Sequence, residues 1–246
     1  MKARGAVVAA LCAFGGVSIG AVAIARRASA APAADGGEPL SWERAFAAAT
    51  PERDVHLTAR FTGSDGKEHR LEVWRHGDTF LRRRTDEALD LYVVAHRGTP
   101  GESDLRFFDH RRHVVTTVRR SNLYRIGVFS DWYGLAHLLE RPRGQFEVRV
   151  GATPPGRERR DCVWRELIAA ASADLSATRA RICWSQRWAV PLLIERLSPD
   201  RAWVVQLAVD TVEGARLSSR DLVVPPPPPR YGVVDANGEI DPRVED

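Results

Sequence analysis

The chain predicts a mainly β protein: one large antiparallel sheet of about eleven short strands, accompanied by two or three helices. Three observations carry that expectation. From Val55 onward, apolar and polar residues alternate with a period of two through one short segment after another. Turn-forming residues separate these segments at close spacing, as in Ser64-Asp65-Gly66-Lys67, Gly77-Asp78 and Thr99-Pro100-Gly101. Helical periodicity is confined to residues 41–50 and 129–140, and there is no internal repeat.

The elements follow in order. Residues 31–40, APAADGGEPL, read as a flexible spacer. Ser41 can cap a helix over SWERAFAAAT, where Trp42, Ala45, Phe46 and Ala49 share a face and Pro51 ends the run. In the first strand Val55, Leu57, Ala59 and Phe61 alternate with His56, Thr58, Arg60 and Thr62. Strands over 69–75 and 79–84 follow. Residues 89–96, LDLYVVAH, are apolar on both faces, which predicts a central strand. Residues 105–109 and 113–119 make a hairpin across His110-Arg111-Arg112. In the helix at 129–140, Ser130 is the cap and Asp131 suits the first turn. Its apolar stripe is Trp132, Leu135, His137, Leu138 and Leu139, and Pro142 stops it. Strands resume over 145–150, 162–168, 178–185, 190–197 and 202–212, with a last short one over 216–224. The main domain thus spans 41–224. In 225–246, the tract Pro225 to Pro229 cannot join a sheet and reads as a stiff exit, and the acidic tail reads as poorly ordered.

The first thirty residues set the compartment. Lys2 and Arg4 precede 21 small and apolar residues, 5–25, and then come Arg26-Arg27 and the small-x-small triplet Ala28-Ser29-Ala30. This is a cleaved signal peptide or a retained N-terminal membrane anchor. The more positive flank lies at the N-terminus and stays inside, so the body is exported, periplasmic, and either soluble or held by that anchor. Cys12 is no lipoprotein site, since Leu11 and not a small residue precedes it. The segment also holds four basic side chains and no acid, of 36 basic and 32 acidic in the whole chain. The exported body is therefore formally neutral, and the basic isoelectric point is no argument for nucleic acid.

Two cysteines are exported, Cys162 and Cys183. In an oxidising compartment an isolated pair is most simply a disulfide, and two metal or redox thiols are the competing reading. The pairing histidines and CxxC spacing that the second reading needs are missing. His110 and His113 flank a double arginine and read as a solvated turn, because no third ligand is placed with them. GxSxG, HExxH, P-loop and GxGxxG patterns are lacking, and no spacing proposes an acid–base pair. The sequence thus points to no enzyme, no metal and no cofactor. Residues 106–160 hold twelve arginines against five acids. That stretch is either a solvated face or a basic patch, centred on Arg111, Arg112, Arg119 and Arg120, for anionic headgroups or an acidic partner.

The order of elements resembles the outer-membrane lipoprotein carrier superfamily, which includes LolA, LolB and the amino-terminal domain of RseB. Three segments carry the likeness: DLRFFDHRRHVVTTVRR, ICWSQRWAVPLLIERL and RLSSRDLVVPPP. The first is similar to the family's strand, aspartate and basic turn. The second is similar to its tryptophan-containing strand and Leu-Pro-Leu-type strand, and the third to its last strand running into prolines. The resemblance implies a curved, incomplete antiparallel barrel with helices covering its concave face. It also implies a hydrophobic cavity for the acyl chains of a lipid or lipoprotein. Inward-facing residues of the first strands would line it: Leu57, Ala59, Phe61, Leu71, Val73, Leu91 and Val93. Trp184, Leu192, Ile194, Trp203 and Val205 would line it from the later strands, and Trp132, Leu135 and Leu139 would form a lid. Ordinary core packing is the alternative role for these residues, the tryptophans above all. The family's early arginine-proline segment has no counterpart, so no latch arginine is assigned. Two functions follow: a monomeric periplasmic carrier or binding protein, or an RseB-like regulatory module that binds a membrane protein partner from an inner-membrane anchor.

Overall fold

A computed structural model of the chain describes residues 38–48, 53–125, 132–142, 145–159, 161–169, 178–218 and 220–240. Strand β1 (Pro39–Leu40) and helix α1 (Trp42–Ala45) come first. A meander follows: β2 (Asp54–Thr62), β3 (Glu68–His76), β4 (Phe80–Thr85), β5 (Leu89–Ala95), β6 (Ser103–Asp109) and β7 (Val114–Arg119). Helices α2 (Arg120–Arg125) and α3 (Trp132–His137) lead to a second meander of β8 (Phe146–Val150), β9 (Val163–Ala169), β10 (Thr178–Ser185), β11 (Val190–Leu197) and β12 (Trp203–Gly214). The last elements are β13 (Gly232–Asp235) and α4 (Ala236–Ile240).

Among the described residues, thirteen strands form one curved sheet that does not close into a barrel, in the order β1-β8-β9-β10-β11-β12-β2-β3-β4-β5-β6-β7-β13. The last strand of the second meander returns beside the first strand of the first, with Leu207 opposite Phe61 and Val209 opposite Ala59. Register shifts interrupt β10 at Cys183/Trp184, β11 at Ile194/Glu195 and β12 at Val209/Thr211. Each such irregularity bends its strand and increases local twist, which curls this half of the sheet. Alternation decides the faces. Val55, Leu57, Ala59 and Phe61 are buried on the concave side, as their spacing predicts.

Both helical expectations hold in place and not in length. Ser41 caps α1 by accepting from the Arg44 backbone N–H at 3.2 Å, but the helix is a single turn and Phe46 leaves it. In the second stretch α3 covers only six residues, and Leu138 ends it at a φ of 56°. The cap Ser130 and Asp131 lie outside the described residues. Helix α2 was not expected. The assigned spacer contributes β1, with Leu40 opposite Val148 on β8.

The largest departure is at the C-terminus. Among the described residues of 216–224, none lies in a strand. Ser218 donates from its backbone N–H and from Oγ to Asp221 Oδ2, both at 2.7 Å, and this local turn competes with sheet pairing. The strand comes later: Gly232–Asp235 pairs parallel with β7, Gly232 opposite Val114. The tail continues into α4, where Asn237 Oδ1 accepts from the Arg119 backbone N–H at 2.7 Å and from Asn122 Nδ2 at 2.9 Å. The proline tract is therefore a strap and not an exit. It carries Leu222, Val224 and Tyr231 onto Phe80, Tyr92, Phe108 and Val115, a second apolar cluster on the convex face. This explains β5, whose Leu91 and Val93 point into the concave core while Tyr92 and Val94 point under the strap.

One hairpin is clamped electrostatically. His69 lies 2.6 Å from Asp86 Oδ2 through Nδ1 and 3.0 Å from Asp65 Oδ1 through Nε2. The bonds to Asp86 and Asp65 raise the imidazole pKa. The His69 bond holds the Asp65 carboxyl below its usual range. Asp86 is also lowered, against its own burial, by His69 and the Arg70 backbone N–H. The clamp contributes fully between the ordinary carboxylate and imidazole values, about pH 4 to 6.5. It is lost as pH rises through the raised His69 pKa, and on the acid side as pH falls through the lowered aspartate values.

Two outcomes are expected. The His69 ring should titrate above about 6.5 by NMR, and His69→Gln should remove the alkaline loss of amide-exchange protection at Asp86. Titration at or below that value would contradict the clamp. Truncation after residue 214 should uncover Phe80, Tyr92 and Phe108, bind an apolar dye and lower the melting temperature. An unchanged melting temperature would mean that the strap carries no stability.

Candidate functional site

The concave face gathers the predicted residues into one apolar cluster. Leu57, Ala59, Phe61, Leu71, Val73, Leu91 and Val93 come from the first meander, and Trp184, Leu192 and Ile194 from the second. Leu135 and Leu139 close over them, with Trp132 and Val205 packed at the margin. Trp203 does not join. It lies outside this cluster, 3.8 Å beneath the Arg181 guanidinium, because the irregularity in β11 and β12 turns it away. Around Val93, Leu139, Trp184 and Ile194 the cluster is packed and not hollow. A side chain walling a water-sized void keeps accessible surface on that side, and Val93, Leu139, Trp184 and Ile194 keep 0%. An open cavity of about 420 Å³ lies elsewhere, lined mostly by polar groups including Arg60, Glu68, Arg157, Glu158 and Arg159, with Phe61 and Val205 at its wall.

Closure of the mouth is partly polar, and Arg75 provides it. On β3, Leu71, Val73 and Arg75 share the inward face, so an arginine stands where the alternation calls for an apolar residue. Its Nη2 donates to Trp188 O at 2.6 Å, and Nη1 donates to Ala136 O at 3.2 Å and Ala189 O at 3.4 Å. Ala136 is on α3, and Trp188 and Ala189 belong to the β10–β11 turn. Strands β12 and β2 lie between β11 and β3 in the sheet, so only curvature brings these segments to one guanidinium. His137 Nδ1 stands 2.9 Å from Arg75 Nη1 and 2.6 Å from Ala189 O. It cannot accept the first and donate in the second at once. The 2.6 Å contact between two lone-pair atoms requires a proton, so Nδ1–H is assigned as donor to Ala189. Burial lowers the Arg75 pKa to about 10, which leaves it charged at neutral pH.

The lid is built around that bond. Leu135 and Ala136 face inward from α3, and the left-handed turn at Leu138 drops Leu139 into the core. A leucine held at positive φ costs on the order of 1 kcal/mol or more, so the surrounding packing must hold it there. Trp184 Nε1 donates to Ala47 O at 3.1 Å, and Phe46 meets Trp184 edge-on at 5.4 Å between ring centroids. Tyr133 Oη donates to Phe46 O at 3.1 Å, so α1 and α3 are tied to each other.

The basic residues are not one patch. Arg111 and Arg112 sit at the β6–β7 turn, and Arg119 and Arg120 at the other end of β7, about 20 Å away at the rise of a strand. Arg112 Nε is 3.7 Å from Asp109, Arg119 Nε is 4.0 Å from Asp104, and Arg120 Nη1 donates to Gly101 O. At the same turn His110 is 3.0 Å from Tyr231 Oη and 3.3 Å from Asp90 Oδ2, which places it in the strap contact. Among the described residues, no group of three or more His, Cys, Asp or Glu side chains is placed to hold a metal ion, and no helix is long and apolar enough to cross a membrane.

Cys162 and Cys183 are at disulfide distance, with Cα atoms 5.3 Å apart. Cys183 lies on β10 opposite Trp164, so the pair joins the start of β9 to its neighbour next to the buried Trp184.

Comparison of the chain with protein-family models and with curated proteins found no match. The candidate site therefore rests on its own geometry: a curved sheet, an apolar concave core and a short helix held by a buried guanidinium. Arg75 was not assigned from sequence. The signal available was a charged side chain at an inward position of an alternating strand, and Arg83 on β4 carries the same signal.

The unreduced, unfolded protein should contain no thiol that labels beyond Cys12, if that segment is present. Reduction should destabilise the fold by about 3 kcal/mol, from the loop-closure entropy of roughly twenty residues. Labelling of Cys162 and Cys183 without reductant would refute the bond.

Proposed function

We propose that the chain is an exported, non-enzymatic protein that takes the acyl chains of a lipid or lipoprotein into the concave side of its half-barrel. The observation that carries this reading is the Arg75 closure. A lid sealed by apolar packing alone would be one more part of the core. Here a single cation caps main-chain oxygens of two separate segments, α3 and the β10–β11 turn. Hydrogen bonds to a charged donor contribute about 1.5–3 kcal/mol each, yet water can replace them when the lid moves. The apolar residues beneath, Leu135 and Leu139 from the lid and Val73, Leu91 and Ile194 from the sheet, would then offer their surface to an acyl chain. The order of elements and its resemblance to lipoprotein carriers support the same reading, as does the export signal. The protein acts in this reading as a monomer in the periplasm.

A fluorescent fatty-acid probe should bind at micromolar concentration or tighter and be displaced by detergent. Arg75→Met should raise the rate of probe uptake at least ten-fold and speed amide exchange in α3 by a similar factor. Absence of probe binding to the folded wild-type protein would overturn the proposal. Binding with uptake unchanged by Arg75→Met would remove Arg75 from the closure.

A further inference from the structure

The interior holds a second arginine, and among the described residues no hydrogen bond or ion pair answers the charge at its buried Nε and Nη1. Arg83 sits on β4 between Val73 of β3 and Leu91 of β5, both members of the concave apolar cluster. Alternation fixes its direction. Phe80, Arg82 and Arg84 take the convex side, where Arg82 lies over Trp74 and Tyr92, while Leu81 and Arg83 take the concave side. Arg83 is 3% exposed, and its buried Nε and Nη1 have no hydrogen-bond partner. Among the described residues it makes no ion pair. Glu140, just beyond the lid, acts on it only at longer range. Burial lowers its pKa to about 10, so the group remains a cation at neutral pH.

A buried cation without hydrogen-bond or ion-pair partners is destabilising and is retained against that cost. Arg75 shows the contrast: equally inward, it spends its donors on three carbonyl oxygens. Arg83 lies two residues further along the strand pair, about 7 Å from the Arg75 level. Its five N–H groups form a planar fork that matches the oxygens of a carboxylate or phosphate. Every residue that flanks it in register is apolar, so a molecule reaching it must present an anion attached to a hydrocarbon.

We propose that Arg83 anchors the anionic headgroup of an amphiphile, a carboxylate or phosphate, whose apolar tail runs along the concave face. The inference rests on the hydrophobic-ligand reading above and narrows it to charged ligands. It places the head inside the half-barrel and not at the convex basic residues.

The test compares three ligands of equal tail length by displacement of a neutral fluorescent probe: hexadecanoate, hexadecyl phosphate and hexadecanol. Wild-type protein should prefer at least one anion over the alcohol ten-fold or more, and the better anion identifies a free fatty acid or a phosphate ester as the source. Arg83→Met should bring the anions to parity with hexadecanol and leave hexadecanol affinity within two-fold. The same variant should melt no lower than wild type, because it removes an unpaired buried charge. Arg83→Lys should keep part of the preference. If Arg83→Met does not fold, the wild-type preference and the Arg83→Lys variant decide. Equal wild-type affinities for all three ligands would overturn the anchor and leave the hydrophobic site standing. Failure of all three to bind would overturn both.

Discussion

A single sheet has two faces, and this one is apolar over its concave face and over a patch of its convex face around Phe80, Tyr92, Phe108 and Val115. That constraint organises the rest of the molecule. An exposed apolar face of this extent would drive association, so each side must be covered. The concave side is covered from within the curve by α1, α3 and the Leu138–Leu139 turn. The apolar patch on the convex side is covered by chain that has left the sheet, the strap that carries Leu222, Val224 and Tyr231. Curvature makes the first solution possible, because it lets residues three strands apart, on β3 and in the β10–β11 turn, meet one side chain. The edges obey a related limit. Both outermost strands are short, two residues in β1 and four in β13, which leaves little free backbone to template another chain.

Within the concave core the two inward arginines define the chemistry. Their positions are equivalent by pattern, and their surroundings are not. Arg75 reaches the rim and is neutralised by oriented carbonyl dipoles. Arg83 lies between Val73 and Leu91, and its buried Nε and Nη1 meet no carbonyl among the described residues. The two guanidinium groups are thus separated by one strand and two residues. The outer arginines behave differently. Arg82 and Arg84 share Asp90 at 3.0 and 3.3 Å, and Arg181 pairs with Glu195 at 3.1 Å while covering Trp203. These are paired, part-exposed groups that solvate the convex side.

Much of the fold was legible in the residues. The hairpin over Ser64–Lys67, the strand over 89–96 and the inward set from Val55 to Phe61 all follow from local spacing and turn chemistry. The failures are as instructive. Residues 216–224 alternate like a strand, but Ser218 and Asp221 satisfy each other and the segment bends. Residues 232–235 carry only Val233 and Val234 as a strand signal, too short to read, and pair because the strap delivers them to the open edge of β7. Trp203 belongs to the expected lining set, and the β11–β12 irregularity turns it to the other face. Arg111, Arg112, Arg119 and Arg120 are close in sequence and lie at opposite ends of one extended strand.

By itself the sequence determined the class: a mainly β chain with two meanders around a helical crossing, a cysteine pair and a set of inward apolar residues. Those features are local, since a period of two and a turn residue are decided within a few positions. The tertiary structure alone decided what seals each face, that the C-terminal tail is part of the fold, and that Arg75 and Arg83 end in the same interior with opposite fates. Such outcomes depend on curvature, strand register and the path of a long crossover. These bring together residues more than a hundred positions apart, and no local spacing encodes where they meet.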